Sequence, residues 1–500
     1  LELRLVTDAL FWGTLLLLIG STLWTIWRLH GAISAAILVP LAWIVLIPIS
    51  IILRPYSAPS GLFPSGFTGP PRDHMYVAVA MANVAFICFQ LLVASTWFGR
   101  VQAGVVAFFR SREGDDRAQS ESRLLKTWIA GLTALAVALA LLHWSLMPRV
   151  PAWDLVTGFA NPLQPNYDRE TADKFLGVPS LVRYIFDWNQ GIMFPVLFCA
   201  AVLMRWRPLA VFIGIFGFVY VTSTLEKFPA MVFIIGPFIA LAVQKSRPIW
   251  SQLVIVGLAV SLLGPLAVNQ APLVSTSVHN VLHNTPPASA EPRYDASITT
   301  PIPGCGGTST SNAQAAPFSW RDVPASMKDI VLRRIGIVPA EVTYGWFAYF
   351  PAQHPYLNGS GWMPWKVLAS GYRNPANLVG LWMYCGHVET LPSVSAYGSF
   401  VADGWAEFGY LGVLLASVGL VLFGAVLELM RSFVNKPFCL ACYAPTVILF
   451  ATLPPRGGLM ATIFSSGLWL ALALCLLFLV SEGWGRRRIQ QVPVFEHAGS

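Results

Sequence analysis

A chain of 500 residues that is 55% hydrophobic and 11% charged, with a mean hydropathy of +0.61, is not an ordinary soluble enzyme. Its apolar side chains have to face lipid. The net charge of +8 does not mark a nucleic-acid binder either, because Lys and Arg gather in short loops between apolar runs.

Stretches of roughly 16 to 25 nearly uncharged residues are long enough to cross the hydrocarbon core. Taken in chain order they are Ala9–Trp27, Ala32–Leu53, Tyr76–Phe98, Trp128–Met147, Trp188–Met204, Pro208–Thr224, Phe228–Val243, Ile249–Val268, Phe408–Leu429, Phe438–Leu453 and Leu459–Val480. The expected fold is therefore an all-α integral membrane bundle of about eleven spans. The first stretch lacks a basic leading region and a small-x-small cleavage site, so it reads as a span and not as a signal peptide.

Alternate loops carry the basic residues: Arg28; Arg100, Arg110, Arg112, Arg117, Arg123 and Lys126; Arg205 and Arg207; Lys245 and Arg247; Arg431 and Lys436; and Arg486 to Arg488. The positive-inside rule puts these loops and the C-terminus in the cytoplasm and the N-terminus outside. Five regions follow: 1–147 with its cytoplasmic loop 99–127, an external loop 148–187, central spans 188–268, a large external loop 269–407, and C-terminal spans with a tail over 408–500.

The large loop is too long for a simple connection. Pro286–Ala316 is rich in Pro, Ser, Thr, Gly and Ala and reads as irregular surface. Beyond it, Ile330, Val331, Leu332, Ile335 and Ile337 give a helical apolar pattern that carries Arg333 and Arg334 until Pro339, and a short helix is expected over Ala340–Tyr349. Tyr344, Trp346, Phe347, Tyr349, Phe350, Trp362 and Trp365 suit a segment at the membrane interface, either tucked into the bundle or anchoring the loop.

Cys305 and Cys385 fall in this loop and suit a disulfide in an oxidising compartment. Cys439 and Cys442 are expected to pack inside a span. His279 and His283 have helical metal spacing without a third ligand nearby, and no metal or other cofactor is expected.

Chemistry is sought where charge is placed in otherwise apolar surroundings. Glu226-Lys227-Phe228-Pro229 forms an external turn in which Lys227 meets a helix N-terminus, a geometry that suits a bound anion; a snorkelling lysine paired with Glu226 fits the same residues. In Tyr372-Arg373-Asn374-Pro375, Asn374 is the expected N-cap and Pro375 the first helical residue, which holds Arg373 at another N-terminus. Arg333, Arg334, Arg169 and Arg183 are candidates to clamp phosphate oxygens, with lipid headgroups as the competing partner. Asp403 and Glu407 lie one helical turn apart at the mouth of the ninth span, suited to bind or deprotonate a sugar hydroxyl or to pair with an arginine.

Several strings, in order, resemble the bacterial oligosaccharide repeat unit polymerases, the O-antigen polymerase family. They are Glu226-Lys227-Phe228-Pro229, Leu332-Arg333-Arg334-Ile335 with Val338-Pro339-Ala340, Arg373-Asn374-Pro375-Ala376, and Glu407-Phe408-Gly409-Tyr410-Leu411-Gly412, set among two external loops of which the second is much longer. The likeness runs over roughly Pro148 to Leu429, and only the order and placement of the strings carry it.

The resemblance implies a GT-C-like glycosyltransferase of the bacterial inner membrane that joins undecaprenyl-pyrophosphate-linked units on its outer face. It implies lipid-linked glycan as donor and acceptor, membrane lipids and a chain-length regulator as partners, and neither nucleic acid nor metal. Arg183, Arg333, Arg334 and Arg373 match the family's loop arginines best, with Lys227, Arg169 and Tyr372 beside the substrate. Glu407, Asp403 and His387 are the candidate general bases. An O-antigen ligase and a non-enzymatic transporter are the alternatives.

Overall fold

The computed structural model describes residues 2–30, 33–53, 70–110, 118–147, 150, 180–224, 227–244, 338–363, 374–383, 396–452 and 457–490. All regular structure among them is helical. The elements are α1 (Glu2–Arg28), α2 (Ala35–Leu46), α3 (Pro48–Leu53), α4 (Pro70–Ala94), α5 (Thr96–Arg110), α6 (Ala118–Leu146), α7 (Ser180–Trp188), α8 (Phe194–Leu203), α9 (Arg207–Ser223) and α10 (Lys227–Gln244). They continue with α11 (Val338–Tyr349), α12 (Pro375–Met383), α13 (Phe400–Phe408), α14 (Tyr410–Arg431), α15 (Pro437–Thr452) and α16 (Leu468–Gln490). Two π-turns interrupt the helical course, Asn189–Met193 between α7 and α8 and Ala461–Ser465 ahead of α16.

Six stretches have the length and composition to cross a membrane: Arg4–Arg28, Ala35–Leu53, Pro71–Ala94, Leu125–Leu146, Leu181–Leu203 and Tyr410–Arg431. Four shorter apolar helices, Arg207–Ser223, Pro229–Gln244, Pro437–Thr452 and Leu468–Glu482, complete the described bundle. The expected eighth span, Ile249–Val268, lies outside the described residues. The chain is thus a multi-pass helical membrane protein.

Several expected spans are subdivided, each for a local reason. The second breaks at Ile47, because Pro48 has no N–H and its ring excludes the carbonyl one turn back. Ser95 separates α4 from α5, so the third span ends before Phe98. The ninth begins at Tyr410 and not at Phe408, since Gly409 takes φ +60° and ψ −136° and turns the chain sharply. The fifth and the eleventh each contain a π-turn.

α15 is the centre of the bundle, with every residue from Phe438 to Ala451 buried, and α2, α8, α10, α14 and α16 pack around it. Cys439 and Cys442 lie buried within it. α1, α9 and α14 turn Leu16, Leu17, Leu23, Ile215 and Leu422 outward, the faces that lipid covers.

Lipid tails are as apolar as Leu, so helix association rests on close packing and interhelical polar contacts. The Trp43 indole donates to Asn83 at 2.9 Å and the Gln90 amide to Thr22 at 2.8 Å, tying α4 to α2 and α1. At one end of the bundle the buried Glu428 of α14 accepts from the Ser34 hydroxyl at 2.8 Å, the Ala35 amide at 2.5 Å and Arg431 at 2.7 Å. A carboxylate from one span thereby caps the N-terminus of another, where the helix dipole favours it. At the opposite end Arg72 pairs with Asp8 at 2.8 Å, and His74 meets the Tyr410 hydroxyl at 2.7 Å. α11 and α13 pack against the start of α4 at this second end.

Candidate functional site

The site is built on α13, the short helix that sits at the head of α14. Ser399 caps it, its side chain accepting the Ala402 amide, and Gly409 ends it. Gly404 and Gly412 bring the backbones of α13 and α14 into direct contact: a Cβ on either would overlap the other's backbone. Only glycine allows helices to approach this closely.

Aromatic side chains fix α13 on its remaining sides. The Trp405 indole donates to the Phe350 carbonyl at 2.8 Å, and the Trp346 indole to the Ala396 carbonyl at 2.8 Å. The Trp405 ring stacks on Phe347 at 4.8 Å and is met at its edges by Tyr356 and Tyr410. The loop after α11 is tied to the end of α13 by two backbone bonds, Leu357 to Ala406 and Asn358 to Glu407, each 2.9 Å. Of the two roles open to these aromatics, insertion into the bundle is the one found, with Trp346, Phe347 and Phe350 buried. The helix begins at Val338, two residues earlier than expected.

Asp403 and Glu407 project from the same face of α13. Asp403 accepts the Trp362 indole N–H at 2.7 Å and the backbone N–H of Leu459. Its carboxylate rests on Gly458, where any side chain would collide with it. Burial lifts the Asp403 carboxyl to about 6, and the two hydrogen bonds, which favour the ionised form, offset part of that rise. Glu407 is fully buried, with its carboxylate packed onto Gly361. Pairing of Asp403 with an arginine is not found among the described residues; an indole and an amide stand in that place.

Arg183 lies on α7, partly buried, and its Nε is enclosed without a hydrogen-bond partner among the described residues. α7 is joined to the stretch that follows Leu459. The Trp188 indole donates to the Phe464 carbonyl at 2.7 Å, and the Tyr184 and Ser465 hydroxyls are hydrogen-bonded. Lys227 is the first residue of α10, after the turn that closes α9 at Thr224. Asn374 caps α12 as its sequence dictates, accepting the Ala376 amide at 3.0 Å, with Pro375 the first helical residue. Arg169, Arg333, Arg334, Tyr372, Arg373 and His387 lie outside the described residues, as do Cys305, Cys385, His279 and His283.

Trp362, Gly361 and Gly458 complete the carboxylate site without any sequence motif to announce them. The Gly457-Gly458 pair ahead of an apolar run was the available signal, because such a pair permits close approach by another chain segment.

Fold and site together define a multi-pass membrane protein with a desolvated carboxylate at one end of its bundle. No family model, no curated protein and no solved structure matches the chain.

Proposed function

We propose that this protein is a membrane glycosyltransferase that polymerises undecaprenyl-pyrophosphate-linked oligosaccharide units, as its resemblance to the O-antigen polymerases suggests. The observation that carries this reading is the Asp403 carboxyl, lifted to about 6 and held beside the Trp362 indole at the mouth of the bundle. A base with that affinity for protons is ionised at neutral pH and still strong enough to take a proton from an attacking hydroxyl. Trp362, partly buried beside it, offers a flat apolar face of the kind on which sugar rings stack.

The proposed reaction has few steps. The acceptor hydroxyl gives its proton to Asp403 as its oxygen bonds to the anomeric carbon of the donor. The bond from that carbon to the pyrophosphate oxygen breaks, and the electron pair leaves with undecaprenyl pyrophosphate. Charge grows on the leaving group, where fixed cations act best at low dielectric. Arg183, Lys227, Arg333, Arg334 and Arg373 are the candidates for that role, and Glu407 supports the loop that carries Trp362.

The orientation belongs to the same proposal. Arg28, Arg205, Arg207, Arg431 and Lys436 flank helix ends at the Glu428 end of the bundle, so the α13 end faces away from the cytoplasm.

The test supplies purified protein in liposomes with undecaprenyl-pyrophosphate-linked repeat units and resolves the products on a gel. Wild type is expected to give a ladder, and Asp403→Asn and Arg373→Ala each to slow it by about a hundredfold. Product that forms only when lipid A is added makes the protein a ligase. Absence of product under every condition leaves a transporter.

A further inference from the structure

Gly458 and Trp469 bound a short stretch of chain that touches both halves of the proposed site. At its start, Asp403 rests on Gly458 and takes the Leu459 amide. At its far end, α7 grips it three times. Tyr184 bonds Ser465, Trp188 donates to the Phe464 carbonyl, and the Trp188 and Trp469 rings meet edge to face at 5.0 Å. Gly467, at φ +74°, leaves the space that the Trp188 ring fills, since a Cβ there would lie 2.8 Å from it. Arg183 is the residue next to Tyr184 on the same helix.

Between the two ends lies the π-turn Ala461–Ser465, and a second π-turn begins immediately after Trp188. Gly191 of the second lies against the carbonyl of Ser466, the residue that follows the first. A π-turn inserts one residue into an α-helical register, so it has a neighbouring alternative one hydrogen-bond step away. Elements with two discrete arrangements are the ones that transmit displacement through a packed protein.

We infer that Gly458–Trp469 is a joint that sets the position of the Arg183-bearing helix relative to the Asp403 carboxylate, with Trp188 as the positioning residue that holds it. The inference rests on the proposed function, in which the arginine binds the leaving group and the carboxylate serves the attacking hydroxyl. It adds that the two are adjusted together. Trp188 itself touches neither the Asp403 carboxylate nor, in this reading, any reacting atom.

The experiment reads both ends of the joint without relying on polymerisation. Full-length protein in liposomes is treated with a hydrophobic carbodiimide, which labels protonated carboxyls, or with phenylglyoxal, which labels arginine. Asp403 and Arg183 are then quantified by peptide mass spectrometry. Trp188→Phe keeps an aromatic side chain but loses the N–H and part of the ring system, and it is expected to change Asp403 labelling by about fivefold. Because the same stretch contacts Asp403 at one end and α7 at the other, Asp403→Asn is expected to change Arg183 labelling as well, by about twofold or more.

Thr22→Val is the control, since that hydroxyl accepts from Gln90 between α1 and α4, away from α7 and from the joint. Tyr184→Phe, which removes only the bond to Ser465, serves if Trp188→Phe does not fold. Asp403 labelling unchanged in both joint variants, or changed equally by Thr22→Val, overturns the inference. Labelling that moves in a protein that makes no polymer upholds the joint and removes the proposed function. Polymer loss with unmoved labelling does the reverse.

Discussion

Replacing Asp403 with Asn should make the protein more stable at neutral pH while slowing the proposed reaction. The carboxyl is raised from 3.8 to about 6 by burial, so it is ionised in the folded protein at pH 7.5 at a cost of about 3 kcal/mol relative to the unfolded chain. A folded-state value above the unfolded one means that the folded protein binds the proton more tightly. The contribution of this carboxyl to stability is therefore greatest below about 3.8, falls as pH rises to about 6, and is level above. Asparagine keeps an oxygen for the Trp362 indole and the Leu459 amide and never ionises. The assay is the thermal midpoint in detergent for both proteins between pH 4 and 8. Asp403→Asn should melt several degrees above wild type at pH 7.5, with the gap closing towards pH 4. A variant that melts below wild type by the same margin at every pH would refute the claim that the carboxylate is held in its charged form against a desolvation cost.

Other outcomes follow from the same contacts. Ladder formation by wild-type protein should rise with pH through about 6, because the base works only when ionised; a profile flat from pH 5 to 8 removes Asp403 from that role. Trp362→Phe takes away a hydrogen bond that favours the ionised carboxylate, so its pH–rate midpoint should move upward from that of wild type. Gly412→Ala forces α13 off α14 and should destabilise the protein by about 2 kcal/mol or more, seen as a lower thermal midpoint. Glu428→Ala leaves Arg431 and the first amides of α2 without their acceptor and should cost on the order of 3 kcal/mol in the same measurement.

The membrane class was plain from composition, and most spans from hydropathy, because lipid imposes a single requirement on every residue that faces it. The breaks inside those spans were less legible. Pro48 announces the interruption before α3, whereas the turns at Asn189 and Ala461 depend on which partner packs beside them, and Trp188 and Gly467 act there as a pair. The Asp403–Glu407 spacing pointed correctly to one face of one helix. Its partners were hidden because Trp362 and Leu459 stand on opposite sides of α13 in the sequence and meet only through folding. Arg183 was legible as a candidate; Trp188, five residues further on, gave no sign beyond an aromatic residue at a span's edge.

The contact of Gly404 with Gly412 has an evolutionary corollary. It bolts α13 to a membrane helix on one side, while Phe347, Phe350, Leu357 and Asn358 hold it on the other, so two separate parts of the chain position the carboxylates. A side chain at Gly404 or Gly412 would drive α13 towards the loop that holds its other side, so there is little room for change at either face.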